Sequence, residues 1–559
     1  MTKNFKIAAI VSAAAMLVIG ASMTSFAATG WQEENGTWVY YDRYGAKVTS
    51  TWEKSGNNWF WLDDNGDMAT DSLIEDGDYY YYVDSNGAMV TNNWVQMDNS
   101  DDDDEDAPAT VWYYFQNTGK AYKASTSNKT SFKTINGKKY AFDSDSKMLF
   151  GWIDEDTSTR QTGDDAWKEG IYYCGDENDG AQMYNSWGHI HVVDDREDDE
   201  DQDYWFYFGS NGKKVAKTGS NENKVFIDKT IGGKKYTFDR YGKMLSEWVA
   251  TGDFTDQEDV DNNHITSADQ DASPSNFKYY SDVESGARMT RGWFRVLPSA
   301  YLDYSDSDNA DSNVRWFYAD GSGWIYHDAI KTINGKKYGF DAQGEMVAGL
   351  RWVTDNGDNT YKFSGKLDNA SKVNGYTNVD SDDDSANMCS TANFLSNSKT
   401  GIYWFSGDEA NDGAMKTGVQ NFDIDGDSYS FKFKTDGTEK GKGIQGLDNK
   451  MYYVNGRKVK ATADEKFVVY TYDDTTKVMV KQSVKDLFNS QTTITSTSKY
   501  KGNKGTTQDA TFVADYAAGT NYIVLSSQGT KCTSGTKKDG DSYKIVVKNS
   551  QIYGIYYDL

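Results

Sequence analysis

Short runs in which bulky apolar residues alternate with polar or aromatic ones recur along this chain, and each run is bounded by a turn signal. In the first, Trp31 opens a strand, Glu34-Asn35-Gly36 turns, and Trp38-Val39-Tyr40-Tyr41 returns. Asn-Gly between β-prone runs is a strong hairpin signal. Asp42 and Gly45 follow, and glycine supplies the positive φ that a tight connection to the next hairpin needs. Period-two geometry puts Trp38 and Tyr40 on one face and Val39 and Tyr41 on the other. The segments Lys139-Tyr140-Ala141-Phe142, Lys235-Tyr236-Thr237-Phe238 and Lys337-Tyr338-Gly339-Phe340 keep bulky residues at the second and fourth positions, but carry Lys and a small residue at the first and third. A position that accepts Lys reads as wet. Val39/Tyr41, Phe60/Leu62, Tyr140/Phe142, Tyr236/Phe238 and Tyr338/Phe340 are therefore predicted core, and Trp38/Tyr40 and Trp59/Trp61 an outward face or groove.

The runs are copies of one unit. Trp31, Trp52, Leu73 and Trp94 are 21 residues apart, and so are Trp38, Trp59 and Tyr80, Gly45, Gly66 and Gly87, and Thr49, Thr70 and Thr91. A period near 20 marks a supersecondary unit too small to bury its own apolar face, so neighbours must stack. An aromatic also stands seven residues before a glycine in Trp112/Gly119, Trp205/Gly212, Tyr279/Gly286 and Trp316/Gly323, which carries the array onward. Lys-Thr-Ile-Xaa-Gly-Lys-Lys-Tyr segments starting at Lys133, Lys229 and Lys331 show that blocks of about a hundred residues were duplicated. The predicted fold class is all-β: an elongated solenoid of stacked β-hairpin repeats over residues 28–460, with acidic insertions at hairpin tips, followed by a small C-terminal all-β domain, 461–559.

Acidic runs sit at the tips. Trp31 to Trp38 is seven residues, but Trp94 to Trp112 is eighteen and includes Asp101 to Asp106, and Trp187 to Trp205 is again eighteen and encloses Glu197-Asp198-Asp199-Glu200-Asp201. Like charges at exposed tips keep an array solvated. Clustered hard oxygens also allow Ca²⁺, although no segment has EF-hand spacing. From about Ala461 the texture changes: no Trp follows Trp404, and 461–559 is close to charge balance, with 12 basic against 10 acidic residues.

Of 559 residues, 15% are aromatic, and with only 3 Pro the composition fits aromatic hairpins rather than a Pro-rich stalk. Lys3 and Lys6 precede an apolar run from Ile7 to about Ala21, and Ser25-Phe26-Ala27 ends it with small residues, so residues 1–27 read as a secretory signal cleaved before Ala28. No later stretch approaches the ~20 apolar residues of a membrane helix. A formal net charge of -27 opposes binding to nucleic acid or an anionic membrane. Cys174, Cys389 and Cys532 are odd in number and lack metal-ligand spacing, so no disulfide framework is expected.

The copies Gly30-Trp31…Trp38-Val39-Tyr40-Tyr41-Asp42…Gly45 and Trp52…Trp59-Phe60-Trp61-Leu62-Asp63…Gly66-Asp67-Met68 resemble the cell-wall-binding repeat family, which includes choline-binding, glucan-binding and clostridial-toxin repeats. The resemblance covers roughly residues 30–460. It implies a superhelix of hairpins that holds ligand between successive units with two or three rings. Carried onto this sequence, the ligand-binding residues are Trp31, Trp38, Tyr40, Trp52, Trp59 and Trp61, with Trp94 and Trp112 next. A quaternary ammonium is weakly hydrated and sits against ring faces for ~0.5–2 kcal/mol per contact. Where Lys139, Lys235 and Lys337 replace the ring, a cation is repelled and uncaged. Aromatic platforms beside Asp and Asn suit a sugar equally, so both choline and glycan stand as ligands here.

A catalytic reading finds little. Only His189, His191, His264 and His327 are present; His189-Ile-His191 puts two imidazoles on one strand face, a weak metal pair at most. No serine-nucleophile elbow, zinc-protease or phosphate-loop pattern occurs. The sequence thus predicts a noncatalytic exported protein held at the wall of a Gram-positive-type bacterium by a choline-teichoic acid or a glucan-type glycan. A glycan-binding adhesin and a wall-targeted hydrolase are the alternatives.

Overall fold

Asn35 and Gly36 both hold positive φ, 54° and 85°, the combination that a two-residue type I′ turn demands. Strand β1 (Gly30–Glu34) therefore folds back on β2 (Thr37–Tyr41), with Trp31 opposite Tyr40 and Glu33 opposite Trp38. The same register recurs in β3 (Thr51–Ser55) with β4 (Asn58–Leu62), in β5 (Ser72–Asp76) with β6 (Tyr79–Val83), and in β7 (Asn93–Asp98) with β8 (Thr110–Phe115). The computed structural model describes residues 29–99, 107–125, 129–195, 201–217, 226–250, 274–282, 284–298, 314–364, 399–406, 412–424, 427–462, 464–489, 500–501, 507–508, 521–538 and 543–557. The expected leader 1–27, the acidic runs 101–106 and 197–200, Cys389 and His264 lie outside those residues.

The chain divides into two units, residues 1–245 and 246–559. In the first, all eight sheets among the described residues are two-stranded antiparallel hairpins. The second begins with three more such hairpins and continues in sheets of three and five strands and one further two-stranded pair. Among the described residues the fold is all-β with two short α-helices, α1 (Ala166–Glu169) and α2 (Val484–Asn489).

Seven of the hairpins close with an aspartate loop, while Gln116 and Gly209 hold the aspartate place in two others. Asp63 Oδ1 accepts from the Asn65 and Asp67 amides, both at 2.8 Å, and Asp42, Asp84, Asp143, Asp239, Asp320 and Asp341 repeat the arrangement. The loop then does two things. Its last amides return to the third strand position of the same hairpin, as Val48 N–H to Tyr40 O (3.0 Å) and Leu149 N–H to Ala141 O (2.9 Å). The residue two past the glycine reaches the preceding hairpin: Met68 N–H donates to Trp38 O at 2.7 Å, Met89 to Trp59 O at 2.8 Å, Met148 to Trp112 O at 2.8 Å and Met244 to Trp205 O at 2.9 Å. Gln182 to Lys139 O and Met415 to Lys337 O keep the bond where the first position is Lys. Hairpin is thus tied to hairpin through backbone at the first position.

The side chain two past each glycine lies on the glycine of the next unit. A Cβ added to Gly119 would stand 2.3 Å from Met89 Sδ, and one added to Gly87 would stand 2.8 Å from Met68 Cε. Lys47 with Gly66, Gln182 with Gly212, Lys214 with Gly242 and Met415 with Gly441 repeat the contact. These glycines are needed for φ, +81° at Gly119, and for space. One unit breaks the rule in a compensated way: Ser146 holds the glycine slot at φ 66°, and the residue two past the preceding glycine is the small Ala121.

The expected division into wet and dry faces needs correction. Val39, Leu62, Phe142, Phe238 and Phe340 are core as expected, but Tyr41, Phe60, Tyr236 and Tyr338 are only half-buried. The third position is not wet: Ala141 is 0% and Thr237 1% exposed, because the hairpin's own loop folds over it. Tyr40 and Trp61, at that position, are half-buried rather than outward.

Past Ala461 packing is continuous with the array. Tyr452, Val454 and Val459 share one core with Val468, Tyr470, Ile523 and Leu525. Tyr522-Ile523-Val524-Leu525 even ends in a repeat-type loop, in which Ser526 replaces the aspartate, its Oγ facing the Gln528 and Thr530 amides at 3.3 Å, while Cys532 N–H returns to Val524 O. Cys174 and Cys532 are buried free thiols.

Candidate functional site

Rings converge where one hairpin meets the next. Trp31 contacts Tyr40 across its own hairpin (centroids 5.4 Å) and Phe60 of the following one (5.3 Å). Trp52 does the same with Trp61 (5.3 Å) and Tyr81 (5.1 Å), and its indole N–H donates to Asp76 at 3.2 Å. Burial raises the Tyr81 hydroxyl, which keeps that ring a neutral phenol. Trp38 and Trp59 stack on no other ring among the described residues; Trp59 is 40% exposed, with Lys54 Nζ 5.7 Å from its centroid. None of Trp38, Trp59 and Trp61 is enclosed.

The long hairpins are built differently. Trp94 and Trp112 meet at 6.4 Å and 85°, and Trp94 also touches Tyr114 (5.1 Å), Tyr140 (4.9 Å) and Phe142 (5.9 Å). Two further copies, absent from the sequence expectation, repeat this corner: Trp187 with Trp205 at 6.2 Å and 83°, and Trp293 with Trp316 at 6.1 Å and 88°. Tyr236 and Tyr338 each close on the first ring at 4.8 Å. The eighteen-residue Trp187 to Trp205 spacing, equal to Trp94 to Trp112, was the signal that marked the second copy. Trp94 thus gives most of its surface to packing, whereas Trp31 and Trp52 each meet two rings. Beside Trp112 opens a cavity of ≈ 290 Å³ whose lining includes Asn99, Thr110, Lys147, Arg160 and Glu177.

One ring cluster already holds a lysine amine. Trp152 meets Tyr173 (5.0 Å) and Phe206 (5.1 Å) in the register of Trp31, Tyr40 and Phe60. Lys214, in the slot that Met68 fills after the first interface, puts its ammonium 4.9 Å from the Trp152 ring and 5.9 Å from Phe206. Its Nζ donates to the Trp167 carbonyl and, at 3.4 Å, to that of Lys168. The side chain is only 7% exposed, and burial pushes its ammonium down to about 7. Rings and carbonyls together can accept positive charge here, but a primary ammonium forfeits much hydration to enter. A quaternary one forfeits little and has no proton to lose.

The histidine pair is not assembled as a metal centre. His189 lies flat on Trp205 (4.5 Å, 10°), and His191 sits 3.5 Å from Asp201 and 3.4 Å from Asp203. Among the described residues no group of three or more His, Cys, Asp or Glu is placed to hold a metal ion, and no helix is long and apolar enough to cross a membrane.

Residues 48–94, the segment that contains Trp52, Trp59 and Trp61, match the choline-binding repeat family. That segment is similar to a choline-binding repeat. No curated protein matches it. Among solved structures, the modular autolysin LytC of Streptococcus pneumoniae is 18% identical, with 59% of this chain and 55% of that one covered at a TM-score of 0.29. The choline-binding domain of CbpL from Streptococcus pneumoniae is 17% identical over 47% of this chain and 100% of that one, with a TM-score of 0.27. Choline-binding protein F of the same organism is 17% identical over 63% and 97%, with a TM-score of 0.26. This chain thus spans about half the length of the autolysin. The likeness to choline-binding repeats therefore rests on the match over residues 48–94.

Proposed function

We propose that this chain is a noncatalytic, exported surface protein retained at a bacterial cell wall because rings between successive hairpins bind the quaternary ammonium of a choline-bearing polymer. The observation that carries this reading is Lys214. A cluster in the register of Trp31, Tyr40 and Phe60 seats a lysine amine over two rings. The N-terminal interfaces have the rings without the internal amine: Trp31, Trp38, Tyr40 and Phe60 at the first, Trp52, Trp59, Trp61 and Tyr81 at the second, with Met68 and Met89 in the Lys214 slot. Lys139, Lys235 and Lys337 remove the first-position ring from three units, and at Lys139 and Lys337 the backbone bond from the next hairpin is kept. Individual contacts are weak, but several on one polymer raise retention by ~10²–10⁴ when geometry lets them engage together. No cofactor enters this reading.

The test is retention on purified choline-bearing walls. Bound mature protein should be released by millimolar choline chloride, and neither equal sodium chloride nor soluble glucan should release it. Release by glucan alone would transfer the function to a glycan adhesin. Turbidity loss of the wall suspension over time would make the protein a hydrolase and overturn the noncatalytic part.

A further inference from the structure

Across each hairpin, one residue faces the first-position ring, and its charge changes from unit to unit. Glu33 is opposite Trp38, Lys54 opposite Trp59, Glu75 opposite Tyr80, Gln96 opposite Trp112, His189 opposite Trp205 and Arg295 opposite Trp316. Where the first position is Lys, the facing residue is uniformly Thr: Thr134 with Lys139, Thr230 with Lys235 and Thr332 with Lys337. Five of these six rings face an ionisable partner, Trp112 faces the neutral Gln96, and Phe277, in the equivalent place, faces Ala250. Directly opposed side chains on one face of an antiparallel pair are in reach of each other. In two hairpins the partner is over the ring: Lys54 Nζ at 5.7 Å from Trp59, and His189 parallel to Trp205 at 4.5 Å.

We propose that this facing residue grades the array, setting which first-position rings take a cationic ligand: Glu33 raises cation affinity at Trp38, and Lys54 lowers it at Trp59 by presenting the chain's own ammonium to the ring. The inference rests on the reading that these rings bind quaternary ammonium. The physics is like-charge repulsion plus competition for one ring face. A carboxylate beside the ring adds attraction of the opposite sign. Both partners are exposed, so each effect is of surface magnitude, about two- to five-fold in affinity at low salt. Neighbouring interfaces would then differ in affinity although their rings are alike.

The experiment uses the full mature chain labelled with ¹⁵N-tryptophan, with the Trp38 and Trp59 indole signals assigned by W38F and W59F. Tetramethylammonium chloride is titrated at constant low ionic strength against sodium chloride. Trp38 should half-saturate at about two- to five-fold lower concentration than Trp59; E33Q should raise the Trp38 value and K54Q lower the Trp59 value by the same order. With 3,3-dimethylbutan-1-ol, the uncharged isostere of choline, neither substitution should change binding. Wild-type shifts that E33Q and K54Q leave unmoved, or move equally for the uncharged isostere, overturn the grading and spare the binding role. No indole shift in the wild type removes both.

Discussion

Single positions in this chain do separable jobs, and Gly119 shows how. Its φ of +81° and the 2.3 Å from an added Cβ to Met89 Sδ make alanine costly twice, through backbone strain and through overlap. G119A should destabilise its unit by about 2–4 kcal/mol, while Gly36 (φ +85°, nothing within 4 Å) isolates the strain alone, so G36A should cost about 1 kcal/mol. Hydrogen exchange over residues 107–125 and 29–41 reads the two losses locally, and equal losses would refute the packing contribution. Lys214 supplies a pH prediction. Its folded ammonium titrates at about 7 because burial disfavours the charge, whereas in the unfolded chain it stays protonated to about 10. Between those values the unfolded state binds more protons, so this group makes stability rise with pH. K214M, which installs the residue of the Met68 slot, should raise Tm at pH 7 and reduce the gain in Tm from pH 7 to pH 9.5. An unchanged gain would mean that Lys214 is not the group responsible.

The hairpin is the element whose outline was legible in the sequence, and its contacts were the part that was not. Asn35-Gly36, the Asp42 to Gly45 loop and the 21-residue spacing led directly to β1 through β8, because turn chemistry and alternation are written in side chains. The tie between hairpins is a backbone bond, Met68 N–H to Trp38 O, and a carbonyl leaves no residue signature. That is why Lys139 suggested a wet face at the third position as well as the first, when Ala141 is covered by its own loop. The ring clusters of the candidate site were half legible: Trp31 and Trp52 were singled out, but the rings they meet, Phe60 and Tyr81, come from the next unit and were read as core or not singled out. The glycine slot yields a prediction at this scale. Because Ser146 takes the slot after the small Ala121, A121M should overlap its Cβ and cost about 1–3 kcal/mol, and A121M/S146G should recover most of it. Failure of the double variant to recover, measured by exchange over 129–150, would show that the two positions are not coupled.

As a whole molecule, the chain repeats one scaffold while varying what each interface presents: open ring sets at Trp31 and Trp52, perpendicular corners at Trp94, Trp187 and Trp293, and a self-filled cluster at Trp152. Backbone ties make that variation cheap, since at Lys139 and Lys337 the bond from the next hairpin is kept without the ring. In a repeat array, stability is a sum of unit and nearest-neighbour terms. Ligand held between units should therefore strengthen the interfaces it occupies and leave others unchanged; with choline, exchange should slow over 30–90 and not over 543–557. The most direct measurement of the central claim is a choline titration of the full mature chain followed by intrinsic tryptophan fluorescence, with sodium chloride as the blank. The account predicts a saturable millimolar change that is lost in W31A/W52A and kept in W352A. A flat response at high millimolar choline, in protein shown by circular dichroism to be folded, would contradict it.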